Sequence, residues 1–180
     1  MNLPNKLTIF RILCIPVFVV LMLVNTIPYN NYIAVGVFII ASLTDMLDGK
    51  IARKYNLVTN FGKFMDPLAD KLLVSSAMIC LVSLNRIPAW VVIVIISREF
   101  IISGFRLVAS DAGVVIAASW WGKIKTVVQM IMVIVLILSI HNPVVAVIEQ
   151  ILIYLALVLT VVSLLDYLIK NWKVMDDGKM

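Results

Sequence analysis

The chain has 180 residues, 63% of them hydrophobic and 14% charged, with a net charge of +5 and a mean hydropathy of +1.09. Soluble domains average closer to half apolar and a quarter charged, so a disordered, collagen-like or ordinary water-soluble chain is excluded. Six membrane spans of about 20 residues would take roughly 120 residues, which leaves short loops and tails and predicts one integral membrane domain over residues 1–180.

Taken in chain order, the apolar stretches are 7–24, 32–47, 67–84, 89–107, 121–140 and 144–168, and the expected fold is an all-α bundle of six transmembrane helices. Pro4-Asn5-Lys6-Leu7-Thr8 reads as a helix start in which Asn5 or Thr8 can cap exposed N–H groups. The first stretch follows Lys6, as a signal peptide would, but Met22-Leu23-Val24-Asn25-Thr26 offers no small-x-small cleavage pattern, so a retained span is expected. Cys14 and Cys80 lie far apart inside apolar runs, a spacing that fits buried packing rather than a disulfide or zinc site.

The connections 25–31, 85–88 and 141–143 carry Asn and Pro, and Arg86 is their only basic side chain. The opposite side carries Lys6, Lys50, Arg53, Lys54, Lys63, Arg106, Lys123, Lys125, Lys170, Lys173 and Lys179. The positive-inside rule then predicts both termini and the two charged connections in the cytoplasm, in a multi-pass inner membrane protein. The basic balance, pI near 9.3, is therefore read as a topology signal, with no nucleic-acid partner. Trp120, Trp121 and Trp172 fall where interfacial aromatic anchors are expected, and His141 is placed at the surface of an outer turn.

The chemistry concentrates between the second and third spans. Asp45 and Asp48 are three apart at the end of one helix, and Asp66 and Asp70 four apart at the start of the next. Both spacings put a pair on one helical face. Two like charges 4 Å apart repel by about 4 kcal/mol at an effective dielectric near 20. A divalent cation removes that conflict, and an all-oxygen ligand set suits Mg²⁺, Mn²⁺ or Ca²⁺. Blander roles compete: Asp66, just before Pro67, can be an N-cap, and Asp48 can pair with Lys50 or Arg53.

The run Asp45-x2-Asp48-Gly49-x2-Ala52-Arg53-x8-Gly62-x3-Asp66-x3-Asp70 resembles the complete signature of the CDP-alcohol phosphatidyltransferase family. The resemblance implies that Asp45, Asp48, Asp66 and Asp70 hold Mg²⁺ or Mn²⁺, two ions in the full site, and that Asp70 is the general base. It further implies a homodimer and CDP-diacylglycerol as donor, with Asn5 and Thr8 among its contacts. Gly49 and Gly62 would let the nucleotide approach the backbone, Ala52 would allow close packing, and Arg53 would hold a phosphate. Helix-end glycines, a topology arginine and plain capping are the competing roles for these residues.

Two further stretches, Ser97-Arg98-Glu99-Phe100-Ile101-Ile102-Ser103-Gly104-Phe105-Arg106 and Gly122-Lys123-Ile124-Lys125-Thr126-Val127-Val128-Gln129, together with Asn2-Leu3-Pro4-Asn5-Lys6, are similar to family members that use sn-glycerol 3-phosphate. The implied products are phosphatidylglycerophosphate and CMP. A phosphate dianion needs cations, and Arg98, Arg106, Lys123 and Lys125 are the candidates, with snorkelling to the interface as the alternative for the last three. Arg98, deep in the fourth span, should find an internal partner such as Glu99 or a polar cavity. Rival functions are the same chemistry with serine, inositol phosphate or phosphatidylglycerol as acceptor, and a small cation transporter.

Overall fold

The computed structural model describes residues 2–24, 28–54, 60–111, 116 and 119–171, with side chains except at 3–4, 45–54, 60–64, 67 and 110–111. Among the described residues there are six helices and no strand: α1 (Leu3–Leu23), α2 (Asn30–Lys54), α3 (Asn60–Ser83), α4 (Ala89–Asp111), α5 (Trp120–Leu138) and α6 (Pro143–Lys170). Each expected apolar stretch falls on one helix, so the all-α expectation is met.

The helix ends differ from expectation in an informative way. α2 runs on from Leu47 to Lys54, and α3 begins at Asn60 rather than Pro67. Hydropathy marks where a helix is apolar, whereas Asp, Lys and Arg continue the backbone helix without extending the apolar stretch. Asp66 therefore lies inside α3 and is not its N-cap. At α1 the cap is Asn2, whose side chain accepts from the Asn5 N–H at 3.4 Å, with Pro4 in the first turn. Asn5 and Thr8 lie within the helix, so the capping role expected of them belongs to Asn2.

The chain divides into two compact units. The first comprises residues 1–86 and 133–139, and in it α1 packs on α2 and α3. Ala34, Ala41, Ala69 and Ala77 are fully buried; small side chains let helices approach closely in a membrane interior. Phe18 and Phe38 fill the space between them, their rings 5.9 Å apart. At the far end of α3, Asn85 (φ 56°) and Ser139 (φ 50°) take left-handed backbone, and Arg86 donates to the Ser139 hydroxyl.

The second unit comprises residues 87–132 and 140–180, and in it α4 packs on α6. The buried residues of α6 include Ala156, Thr160, Ser163 and Tyr167, whereas Val147, Ile151, Val158 and Leu165 are exposed. Thr160 donates to the Ala156 carbonyl at 2.7 Å and Ser163 to that of Thr160 at 3.0 Å, so both hydroxyls are satisfied within their own helix. Small or polar side chains inside and large apolar ones outside is the pattern of a helix solvated by lipid. Among the described residues three segments are long and apolar enough to cross a bilayer, Asn5–Leu23, Trp120–Leu138 and Pro143–Lys170. The chain is a helical membrane protein. Trp120 and Trp121 are exposed at the start of α5, as anchors would be. Cys14 and Cys80 are both free.

Candidate active site

In the first unit, Asp66 and Asp70 stand one turn apart on α3, both half-buried. The fully buried Thr8 donates its hydroxyl to Asp66 Oδ1 at 2.5 Å, a short distance typical of a charged acceptor. Asn5, 9% exposed, lies one turn before Thr8, and Arg11 one turn after it, so the three form a polar stripe along an otherwise apolar helix. Arg11 is fully buried, and its Nε donates to the Ala41 carbonyl at 3.2 Å. Thr44 also donates to that carbonyl, at 2.6 Å. α1 is thus tied to α3 through Thr8 and to α2 through Arg11, one turn before Asp45.

The side chains of Asp45, Asp48, Gly49, Ala52, Arg53 and Gly62 lie outside the described residues. Their backbone is helical, on α2 for the first five and on α3 for Gly62, and these two helices touch. Among the described residues no three His, Cys, Asp or Glu side chains gather. What is described fits a hard cation: two carboxylates one turn apart, one oriented by a hydroxyl, offer oxygen donors only.

In the second unit, Arg98 has the internal partner its position demands, with Nη1 3.7 Å from Glu99 Oε1. Lys125 is fully buried and ion-paired to the same Glu99 oxygen. The guanidinium packs close to the backbone of α5, where a Cβ on Gly122 would stand in ordinary contact, 3.4 Å from Arg98 Nη2. Ser119 caps this turn by accepting from the Gly122 N–H at 3.1 Å. Arg106 lies with its guanidinium carbon 5.6 Å from the ring centroid of Tyr167. The Nε atoms of Arg98 and Arg106 and the Tyr167 hydroxyl are buried without a hydrogen-bond partner among the described residues. Each such group costs about 1–3 kcal/mol if nothing else satisfies it. Of the four expected acceptor cations, Arg98 and Lys125 converge on Glu99, Arg106 stands over Tyr167, and Lys123 is exposed.

Two polar residues were not anticipated as site residues. Arg11 carried a usable signal, an arginine inside an apolar stretch three residues after Thr8. Tyr167 carried a weaker one, its spacing from Thr160 and Ser163.

The sequence profile of CDP-alcohol phosphatidyltransferases matches residues 1–162. The chain belongs to that family, whose members generally use divalent metal ions. Among similar proteins, the CDP-diacylglycerol--glycerol-3-phosphate 3-phosphatidyltransferase of Bacillus subtilis is 49% identical, the alignment covering 96% of each chain. The proteins of the same name from Haemophilus influenzae and Rickettsia typhi are 40% and 39% identical, over 93% and 92% of this chain and 91% and 94% of their own.

Proposed function

We propose that this enzyme of phospholipid biosynthesis transfers the phosphatidyl group of CDP-diacylglycerol to sn-glycerol 3-phosphate, giving phosphatidylglycerophosphate and CMP. The observation that carries the reading is the full aspartate signature on two touching helices, in a chain aligned over 96% of its length with a relative of that name.

Asp45, Asp48, Asp66 and Asp70 would hold the divalent metal, Mg²⁺ or Mn²⁺, with two ions in the full site. Bound there, it supplies positive charge against the pyrophosphate being broken. Thr8 fixes the Asp66 carboxylate by its hydrogen bond, so one ligand is oriented before any substrate arrives. Asn5, Thr8, Gly49, Ala52, Arg53 and Gly62 form the CDP-diacylglycerol contacts. Asp70 takes the proton of the glycerol 1-hydroxyl as that oxygen bonds to the lipid-bearing phosphorus, and the bond from this phosphorus to the CMP oxygen breaks. Arg98, Arg106, Lys123 and Lys125 serve the acceptor phosphate: Arg98 and Arg106 by contact, Lys123 as an exposed cation drawing in the dianion, and Lys125 by holding Glu99 beside Arg98.

The distribution of bases supports six spans with both termini and the active site on the cytoplasmic face of the inner membrane. By family resemblance the working unit is a homodimer.

The test uses purified protein in detergent, labelled CDP-diacylglycerol and a panel of alcohols. CMP release is expected with glycerol 3-phosphate, to be lost on chelation and restored by Mg²⁺ or Mn²⁺. Release with serine or inositol phosphate but not glycerol 3-phosphate would refute the acceptor; metal flux into liposomes with no CMP release would refute the reaction class.

A further inference from the structure

The mechanism above gives no task to Tyr167, a buried polar residue of the second unit. Tyr167 is 2% exposed and its hydroxyl has no hydrogen-bond partner among the described residues. Its ring is held firmly, with Phe105 meeting it edge-on at 5.7 Å and 84°, and the Arg106 guanidinium 5.6 Å from its centroid. Phenylalanine would serve that packing better, because burying a hydroxyl with no partner is unfavourable. The same surroundings hold two more unpartnered donors, the Nε atoms of Arg98 and Arg106. Arg98 is within electrostatic reach of both Arg106 and Tyr167.

Charge points the same way as hydrogen bonding. Glu99 is shared between Arg98 and Lys125, which leaves an excess of positive charge in a poorly solvated interior. Three donors and that excess call for a small, multiply charged ligand that only accepts hydrogen bonds, which describes a phosphate monoester. Tyr167 also lies beyond residues 1–162, the part that the family profile describes.

We infer that Tyr167 is a specificity-determining residue for the acceptor: its hydroxyl donates a hydrogen bond to a phosphate oxygen of glycerol 3-phosphate held by Arg98 and Arg106. This rests on the function proposed above. Selectivity follows directly, since an acceptor without a phosphate leaves three buried donors unpaired, and a site built around donors rejects such an analogue strongly.

The test compares wild type with Tyr167→Phe as full-length protein in detergent, with Tyr154→Phe, an exposed position on the same helix, as control. Tyr167→Phe is expected to raise KM for glycerol 3-phosphate and to weaken competitive inhibition by inorganic phosphate, each about tenfold, which corresponds to about 1.4 kcal/mol. KM for CDP-diacylglycerol should stay within twofold, and thermal stability without substrate should hold or rise, because an unsatisfied hydroxyl has been removed. A merely structural tyrosine would instead lower stability and move both KM values together, and that result overturns the assignment. So does an unchanged KM for glycerol 3-phosphate, or unchanged inhibition by inorganic phosphate. If wild type releases no CMP with glycerol 3-phosphate, the proposed function itself fails; if wild type turns over and only the tyrosine effect is missing, that function stands and this inference falls.

Discussion

Replacing Glu99 with Gln keeps the side-chain volume and removes one negative charge from between two cations. Lys125, whose side chain is 0% exposed, then has a buried ammonium without a counter-ion, and Arg98 loses the carboxylate 3.7 Å away. Breaking a buried ion pair by removing one partner costs about 3–5 kcal/mol. The Glu99 side chain is itself 21% exposed, so the pair is not fully enclosed and the lower end, about 3 kcal/mol, applies. For a chain of this size each kcal/mol is worth about 2–4 °C, so Tm should fall by about 6–12 °C. Thermal unfolding in detergent, followed by tryptophan fluorescence, reads that shift. The penalty comes from a stranded charge rather than a lost contact, so Glu99→Gln combined with Lys125→Met should recover more than half of it. A Tm within 2 °C of wild type for the single variant, or a double variant no better than the single, would refute the reasoning.

Three further outcomes are expected. Asp70→Asn should lower CMP release at least about 100-fold, the range in which positioned acid–base groups act, while Tm stays near wild type; near-normal turnover would remove Asp70 as the base. Thr8→Val keeps the shape of a fully buried side chain and deletes the donor to Asp66. A hydrogen bond to a charged group is worth about 1.5–3 kcal/mol, so kcat/KM should fall at least about tenfold, and an unchanged value would show that Asp66 needs no such orientation. Arg86→Ala removes the tie to Ser139 at the end of α3 opposite Asp66. It should cost about 1 kcal/mol of stability and leave kcat and both KM values alone, as a parallel activity assay will check.

The helices were legible in the sequence because an apolar stretch long enough to span a bilayer costs too much free energy to leave in water. Their ends between α2 and α3 were not, because Asp48 to Lys54 is charged yet helical, and hydropathy cannot separate a helix leaving the membrane from a loop. The Arg98–Glu99 pairing was legible from cost alone: a guanidinium deep in an apolar helix requires a partner. The aspartate signature was legible from spacing. Tyr167 was hidden for a physical reason. In a lipid-exposed helix the inward face is the small and polar one, so an apolar periodicity search points to the wrong side. The stripe Ala156, Thr160, Ser163, Tyr167 carries the inward face of α6 once that inversion is applied.

The uneven polarity of the helices also sets an order of assembly. α3 carries Lys63, Asp66, Asp70 and Lys71, and α4 carries Arg98, Glu99, Arg106 and Asp111; a charge at the centre of a lone helix costs about 2.5–3.5 kcal/mol on insertion. α3 leaves the ribosome after α1 and α2, the helices it packs on, and meets a surface already in place. α4 is made before α6, its packing partner. At about 5–20 residues per second, the stretch from Asp111 to Lys170 takes about 3–12 s, and during that interval Arg98 and Arg106 wait in the membrane for the helix on which α4 packs.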